Sequence, residues 1–256
     1  MKGFFAFLKK EWLEQVRCGR LIILGALFVL FGIMNPAVAK LTPWLVEMLS
    51  DSMENSGMTV TVTTVTALDS WVQFYKNIPM ALIAFVLIQS GIFTKEYQTG
   101  TLIPVVTKGL RRSKILLAKT VVLMGLWTVC YWICAGITFG YNAWYWDNSV
   151  AKGLWFSLLC WWLFGGFTLS LVVLFSTVSS SNIGVLALTG GVAAVCIFVG
   201  MLPKLGKYLP TYLTDGNSLI YGFAQPKDYL FSLVLTLGLT MACLVAAVPL
   251  FNKKQL

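Results

Sequence analysis

Residues 95–119 read Lys-Glu-Tyr-Gln-Thr-Gly-Thr-Leu-Ile-Pro-Val-Val-Thr-Lys-Gly-Leu-Arg-Arg-Ser-Lys-Ile-Leu-Leu-Ala-Lys and hold most of what this chain could use for chemistry. One carboxylate, Glu96, is set against Lys95, Lys108, Arg111, Arg112, Lys114 and Lys119, with a small apolar group between them. That pattern suits ion pairing and docking rather than bond making. The chain contains no histidine, which removes a Ser-His triad, a rhomboid-type dyad and a histidine zinc site. It has no Gly-x-x-x-x-Gly-Lys-Ser/Thr loop with which to hold nucleotide phosphates. Cys130 and Cys134 share a helix face at i, i+4, but no histidine or nearby carboxylate completes a metal site. They read as small buried hydrophobes, and no catalytic residue, metal ligand or disulfide framework is expected.

The elements that must carry this loop are membrane helices. With 58% apolar and 11% charged residues in 256, the composition is that of a chain lying mostly in lipid, where each helical crossing needs roughly 20 apolar residues. Six spans are predicted, at about 21–40, 77–94, 115–140, 153–176, 183–202 and 230–250. With the N-terminus inside, 13 of the 19 Lys and Arg residues fall in cytoplasmic segments and 7 of the 10 acidic residues fall outside. This excess of inside cations orients the chain, with both termini cytoplasmic. The formal charge of +9 is therefore a topology signal, and no nucleic-acid partner is expected. Ala37-Val38-Ala39 has the form of a signal-peptide cleavage site, but the preceding n-region would be 20 residues long with a helical pattern of its own, so no cleavage is expected.

Residues 1–20 form that pattern. Phe4, Phe5, Leu8, Trp12 and Val16 recur at helical spacing while Lys9, Lys10, Glu14 and Arg17 face elsewhere, which predicts a cytoplasmic interfacial helix lying against anionic membrane lipid. Residues 41–76 read as an extracellular loop or cap: a short helix at Trp44–Leu49, a strand-like Val/Thr alternation over Met58–Thr63, then helix from Asp69. Between Pro203 and Tyr229, three prolines and three glycines punctuate apolar pieces, as short broken outer helices would. The span interiors hold no Asp, Glu, Lys or Arg, leaving Asn35 and Gln89 as the main polar groups, read first as interhelical hydrogen-bond partners.

The loop at 95–119 resembles the first cytoplasmic loop of type-2 ABC exporter permeases. The likeness lies in Glu96 at the end of a span, Gly100-Thr101-Leu102, a short helix, Arg112-Ser113-Lys114, and Lys119 opening the next span. The N-terminal Lys9-Lys10-Glu11-Trp12 helix, six spans and broken outer helices match that family's plan over the whole of 1–256, while Pro104 and Lys108-Gly109 depart from its pattern.

The resemblance implies a single all-α transmembrane domain of six helices whose coupling loop, 95–114, presents Glu96, Gly100, Thr101, Leu102, Ile103, Val105, Val106, Lys108, Arg111 and Arg112 to a cytoplasmic ABC ATPase subunit. It further implies two ATPase copies holding ATP and Mg, no cofactor in this chain itself, and a second permease copy or close relative. The residues themselves agree: Gly100 permits a tight turn, Leu102, Ile103, Val105 and Val106 make an apolar knob, and Glu96 with the cations could pair with charges at a partner's rim.

The expected setting is a bacterial cell membrane, crossed several times. The aromatic crowding of spans three and four offers Trp127, Trp132, Trp161 and Trp162, with Asn35 and Gln89, as side chains that could face an amphipathic or hydrophobic cargo, a peptide before a lipid or drug. The alternative is a six-span scaffold or sensor that moves nothing.

Overall fold

The computed structural model describes residues 2–53, 64–107, 109–202 and 205–254. Ten α-helices follow one another among them: α1 (Lys2–Arg17), α2 (Arg20–Met53), α3 (Ala67–Gln89), α4 (Gly91–Thr99), α5 (Ile103–Thr107), α6 (Arg112–Tyr145), α7 (Leu154–Val178), α8 (Asn182–Gly200), α9 (Gly216–Ile220) and α10 (Pro226–Lys253). Six helical stretches are long and apolar enough to cross a membrane, with α3 and α4 joining at Ser90 into one. Four of them contain a predicted span with extra residues at both ends, while α7 begins one residue after the predicted 153 and α8 ends at Gly200, two residues short of the predicted 202.

The largest difference is at 41–53. The piece read as a separate short helix continues α2 without a break, although Pro36 and Pro43 lie inside it. Each proline removes only one helical hydrogen bond, and the turns on either side keep theirs, so the helix runs on. The Met58–Thr63 alternation lies outside the described residues. Past Gly200 the chain breaks into short 3-10 turns at Gly206–Tyr208 and Pro210–Thr214 before α9.

The interior is aromatic. Trp127 of α6 meets Phe28 of α2 and Phe85 of α3 edge-on, with centroids 6.0 and 5.6 Å away, and leans on Tyr131 at 5.3 Å. Phe74 continues the column from Tyr131 to Trp71. Edge-to-face pairs of this kind add about 0.5–1.5 kcal/mol each beyond the area they bury. α7 closes against α6 at Gly165, and α10 packs chiefly along α7.

Polar groups in these helices serve as joints. Asn77 Nδ2 donates to Asn35 Oδ1 (2.8 Å), Asn35 Nδ2 donates to Thr138 Oγ1 (3.1 Å), and Thr138 donates to the Gly32 carbonyl (3.1 Å), tying α2, α3 and α6 together. Asn35→Leu is expected to lower the thermal midpoint of the detergent-purified protein, costing about 1–2 kcal/mol, because two amide bonds are lost and Asn77 is left without its acceptor.

Candidate functional site

α1 and the loop between α3 and α6 meet at a cluster of five charged side chains. Lys10 Nζ lies 3.0 Å from Glu11, 2.9 Å from Glu14 and 2.7 Å from Glu96. Lys119 Nζ lies 2.8 Å from Glu11 and 2.9 Å from Glu96, and donates to the Ile92 carbonyl at 3.0 Å. The Lys119–Glu96 contact is ionic in distance without hydrogen-bond alignment. Three carboxylates thus converge on two ammonium groups, with Lys10 Nζ filling the space where they come together, so the cluster is an ion network.

Its inner half is dry: Glu11 and Lys119 are each 1% exposed. The rings of Phe7 and Phe93 stand 5.9 and 5.6 Å from Lys119 Nζ and add their negative faces to its surroundings. One turn along α1, Gln89 of α3 donates to Gln15 at 3.1 Å, also buried. Burial works against the Lys10 ammonium, but the hydrogen bond it donates to Glu96, the charge of Glu11 and the bond to Glu14 outweigh it and hold its pKa above the ordinary lysine value. Burial likewise pushes Glu14 up, yet its bond to Lys10 and the fields of Lys10, Lys119 and Arg20 hold the carboxyl below the usual range.

The local folding that aims these groups is short-range. α4 ends at Gly100, whose φ of 65° is the left-handed conformation that caps helices and favours glycine. The turn places Leu102 in the core, 1% exposed, as an anchor. α5 follows, with Pro104 in its first turn, where a missing N–H costs little.

The other end of the loop is stitched down by Arg112, whose Nη1 donates to the carbonyls of Phe251 (3.3 Å), Asn252 (3.1 Å) and Lys254 (2.5 Å) at the end of α10. Lys254 in turn donates to Ser176 and Ser179 carbonyls at 3.2 and 2.7 Å and lies 4.2 Å from the Tyr97 ring. Thr94 donates to Asn182 at the start of α8. α4 is therefore joined to α1, α6, α8 and the end of α10.

The structure divides the loop residues singled out from sequence. Ile103 is 48% exposed, Thr101 and Arg111 are exposed, and Val105 and Val106 are half-buried, whereas Glu96 and Leu102 are buried and Arg112 caps α10. The Glu96 carboxylate is engaged within the chain instead of standing free at a rim. Lys108 lies outside the described residues.

On α1 the buried face is Phe7, Glu11 and Gln15, with Phe4 and Leu8 packed beside it, while Phe5, Lys9, Trp12 and Val16 remain exposed. The apolar stripe expected to face lipid is thus split, Phe4 and Leu8 turning to the protein. The burial of Glu11, Gln15 and Lys119 was not foreseen. A carboxylate at i+4 from Phe7 on the same face, and a cation enclosed by Ile115, Leu116, Ala118 and Val122, are the signals that could have found them.

Of the six side chains considered for a cargo, Asn35, Gln89, Trp127 and Trp161 are buried within the chain, while Trp132 and Trp162 are half-buried. Trp127, Trp161 and Trp162 direct their indole N–H groups to the Trp162 carbonyl, the Thr214 carbonyl and Thr128 Oγ1, at 3.1, 2.8 and 3.1 Å. They act as interhelical fasteners. A groove of about 520 Å³ runs between α1 and the α5–α6 turn, lined by Phe4, Phe7, Lys10, Val105, Leu110 and Lys114 among others.

Such a site, charged and preorganised, ties α1, α4 and α6 to one another. No curated protein matches the chain. The family described as ABC-2 family transporter protein matches residues 5–256, nearly the whole length, and with six apolar helices around the loop the chain is a multi-pass membrane protein that belongs to this family of ABC transporter permease subunits.

Proposed function

We propose that the chain is the permease half of an ATP-driven exporter in a bacterial cell membrane, with both termini cytoplasmic, and that α5 and its flanks are the coupling element. The observation that carries this reading is an exposed five-residue helix, with Ile103 at its tip, set between α4 and α6, which Glu96, Lys10 and Lys119 tie to each other and to α1 and which Arg112 ties to the end of α10. A push on α5 is delivered to α1, α6 and α10 together, because those side chains are held in low-dielectric contacts that bend poorly.

Two cytoplasmic ATPase subunits holding ATP and Mg would supply the push. A second copy of this chain, or a close relative, completes the pathway; α8 and α10 leave Val195, Phe198, Val234, Met241 and Val245 uncovered for lipid or that copy.

The cargo is amphipathic or hydrophobic, a peptide in preference to a lipid or drug. A cavity of about 590 Å³ between α3, α7, α8 and the broken outer turns supports this, with apolar walls from Phe164, Ile197 and Met201 and a polar end at Lys207 and Asp215. Stimulation of ATPase turnover by cationic amphipathic peptides, compared with lipids and hydrophobic drugs, tests the preference; no response to peptides removes it.

Ile103→Asp is expected to reduce recovery of the partner ATPase on the purified permease at least tenfold, about 1.4 kcal/mol, since a charge at the centre of a docking knob cannot be desolvated. Gly100→Trp should act in the same direction, as a side chain strains the left-handed turn. An ATPase that binds and turns over unchanged with both variants would leave the chain a non-transporting six-span scaffold or sensor.

A further inference from the structure

At the end of the bundle opposite α1, α2 and α6 frame a groove of about 410 Å³ lined by Ile33, Pro36, Ala37, Lys40, Leu41, Tyr141 and Tyr145. Lys40 is the one charged residue among these. Its Nζ sits 3.7 Å from the centroid of the Tyr145 ring. Among the described residues, no carboxylate comes within ion-pair distance of it. Tyr141 stacks on Tyr145 with centroids 6.5 Å apart and planes 16° from parallel. Neither phenol hydroxyl bonds to another described residue, so both can turn toward a ligand. One turn toward the membrane interior the two helices touch at Gly32, where a Cβ would lie 3.0 Å from Ile137.

Depth follows from helix geometry. Lys40 is 20 residues past Arg20 on one helix, roughly 30 Å along its axis, which is the thickness of the hydrocarbon core. Tyr141 is 22 residues past Lys119 on its neighbour, roughly 33 Å by the same rise. The cation and both phenols therefore share the headgroup level of the far leaflet, and Ile33 and Ala37 lie where acyl chains begin.

We propose that Lys40, Tyr141 and Tyr145 form a binding site for the phosphate of an anionic phospholipid in that leaflet, with one acyl chain in the groove between α2 and α6. An ammonium without a carboxylate partner among the described residues favours an anion at this depth, and the two phenol hydroxyls, likewise unbonded among those residues, complete a three-point cradle for phosphate oxygens. Apolar walls on one side ask for alkyl chain rather than water. The Tyr145 face already holds an ammonium, so a second cation, such as the amine of a zwitterionic headgroup, is disfavoured there.

Native mass spectrometry of the full-length detergent-purified protein, titrated with phosphatidylglycerol, phosphatidylcholine or inorganic phosphate, tests the site. Wild-type protein is expected to retain phosphatidylglycerol in preference to phosphatidylcholine. Lys40→Gln and Tyr145→Leu should each lower that retention about fivefold or more, by removing one charge-assisted contact. Lys227→Gln, a cation at the start of α10, should leave it unchanged. Filling the groove with Ala37→Trp, which keeps Lys40, should lower it as well and guards against a folding defect in the charge variant. Equal retention by wild type and Lys40→Gln, or an equal loss in Lys227→Gln, overturns the site. Protection by inorganic phosphate alone, equal to that by the lipid, overturns the lipid assignment.

Discussion

Lys119→Met is expected to destabilise the folded protein by about 3–5 kcal/mol, the range for removing one partner of a buried ion pair. The loss is read as a lower thermal midpoint in detergent and a smaller folded fraction recovered from membranes. Attraction lost is the smaller part of it. Glu11 is left 1% exposed with only Lys10, itself shared among three carboxylates, to compensate it. The Ile92 carbonyl also loses the donor that meets it at 3.0 Å. Removing both charges is therefore less damaging than removing one. Lys119→Met with Glu11→Gln should recover a substantial part of the stability, because Glu96 keeps Lys10 at 2.7 Å. If the double variant is no more stable than the single one, the cost lies in packing around the lysine stem and the network has been assigned too much. The double variant also separates folding from coupling: stable protein whose cargo no longer stimulates the ATPase would mark the network as a transmitter.

Gly165→Leu carries the second large effect. Any Cβ at position 165 overlaps the six-membered ring of Trp127 and comes within 2.7 Å of its Nε1. The ring has nowhere to go. It is 1% exposed, enclosed by Phe28, Phe85 and Tyr131, and fixed by its bond to the Trp162 carbonyl. α7 must then back away from α6, breaking that bond and opening the aromatic column. Gly165→Ala is expected to cost about 2–3 kcal/mol, near the upper end for overpacking, and the leucine more. The neighbour sharpens the test: a Cβ on Gly166 meets nothing within 4 Å, so Gly166→Ala should be neutral or raise stability by up to about 1 kcal/mol through helix propensity. Thermal midpoints that move alike for the two alanine variants would contradict the close-packed seam.

The contrast between those glycines shows where sequence reading stops. In helices apolar on all sides, nothing in the pattern says which face meets a neighbour, so Trp127, Trp161 and Trp162 could be offered to a cargo as readily as to each other. The spans themselves were legible because length and apolarity alone decide a crossing. Their outer limits were not: Trp44–Leu49 looked separate after two prolines, yet each proline removes only one helical hydrogen bond and α2 runs on past both.

For the site, Glu96, Gly100 and the exposed Ile103 were visible from local chemistry. The partners of Glu96 were not, since Lys10 and Lys119 lie 86 and 23 positions away in the chain and carry no mark of their pairing. The rotation of α1 has the same origin. Aromatic spacing placed Phe4 and Leu8 toward lipid, and a long-range charge pair overrode it.

The order in which the charged residues are made has a consequence for biogenesis. During synthesis Glu11 emerges first, Glu96 follows at the end of the second span, and Lys119 appears only with α6. Until then two carboxylates destined for a dry interior lack one of the two cations that neutralise them there, and an uncompensated charge does not enter that environment cheaply. α1 must therefore wait at the aqueous boundary while α2 and α3 are inserted, and dock only when the third crossing arrives. The network works as an assembly checkpoint: a nascent chain arrested before residue 119 would keep α1 accessible to protease or to a water-soluble label, and one released past it would not.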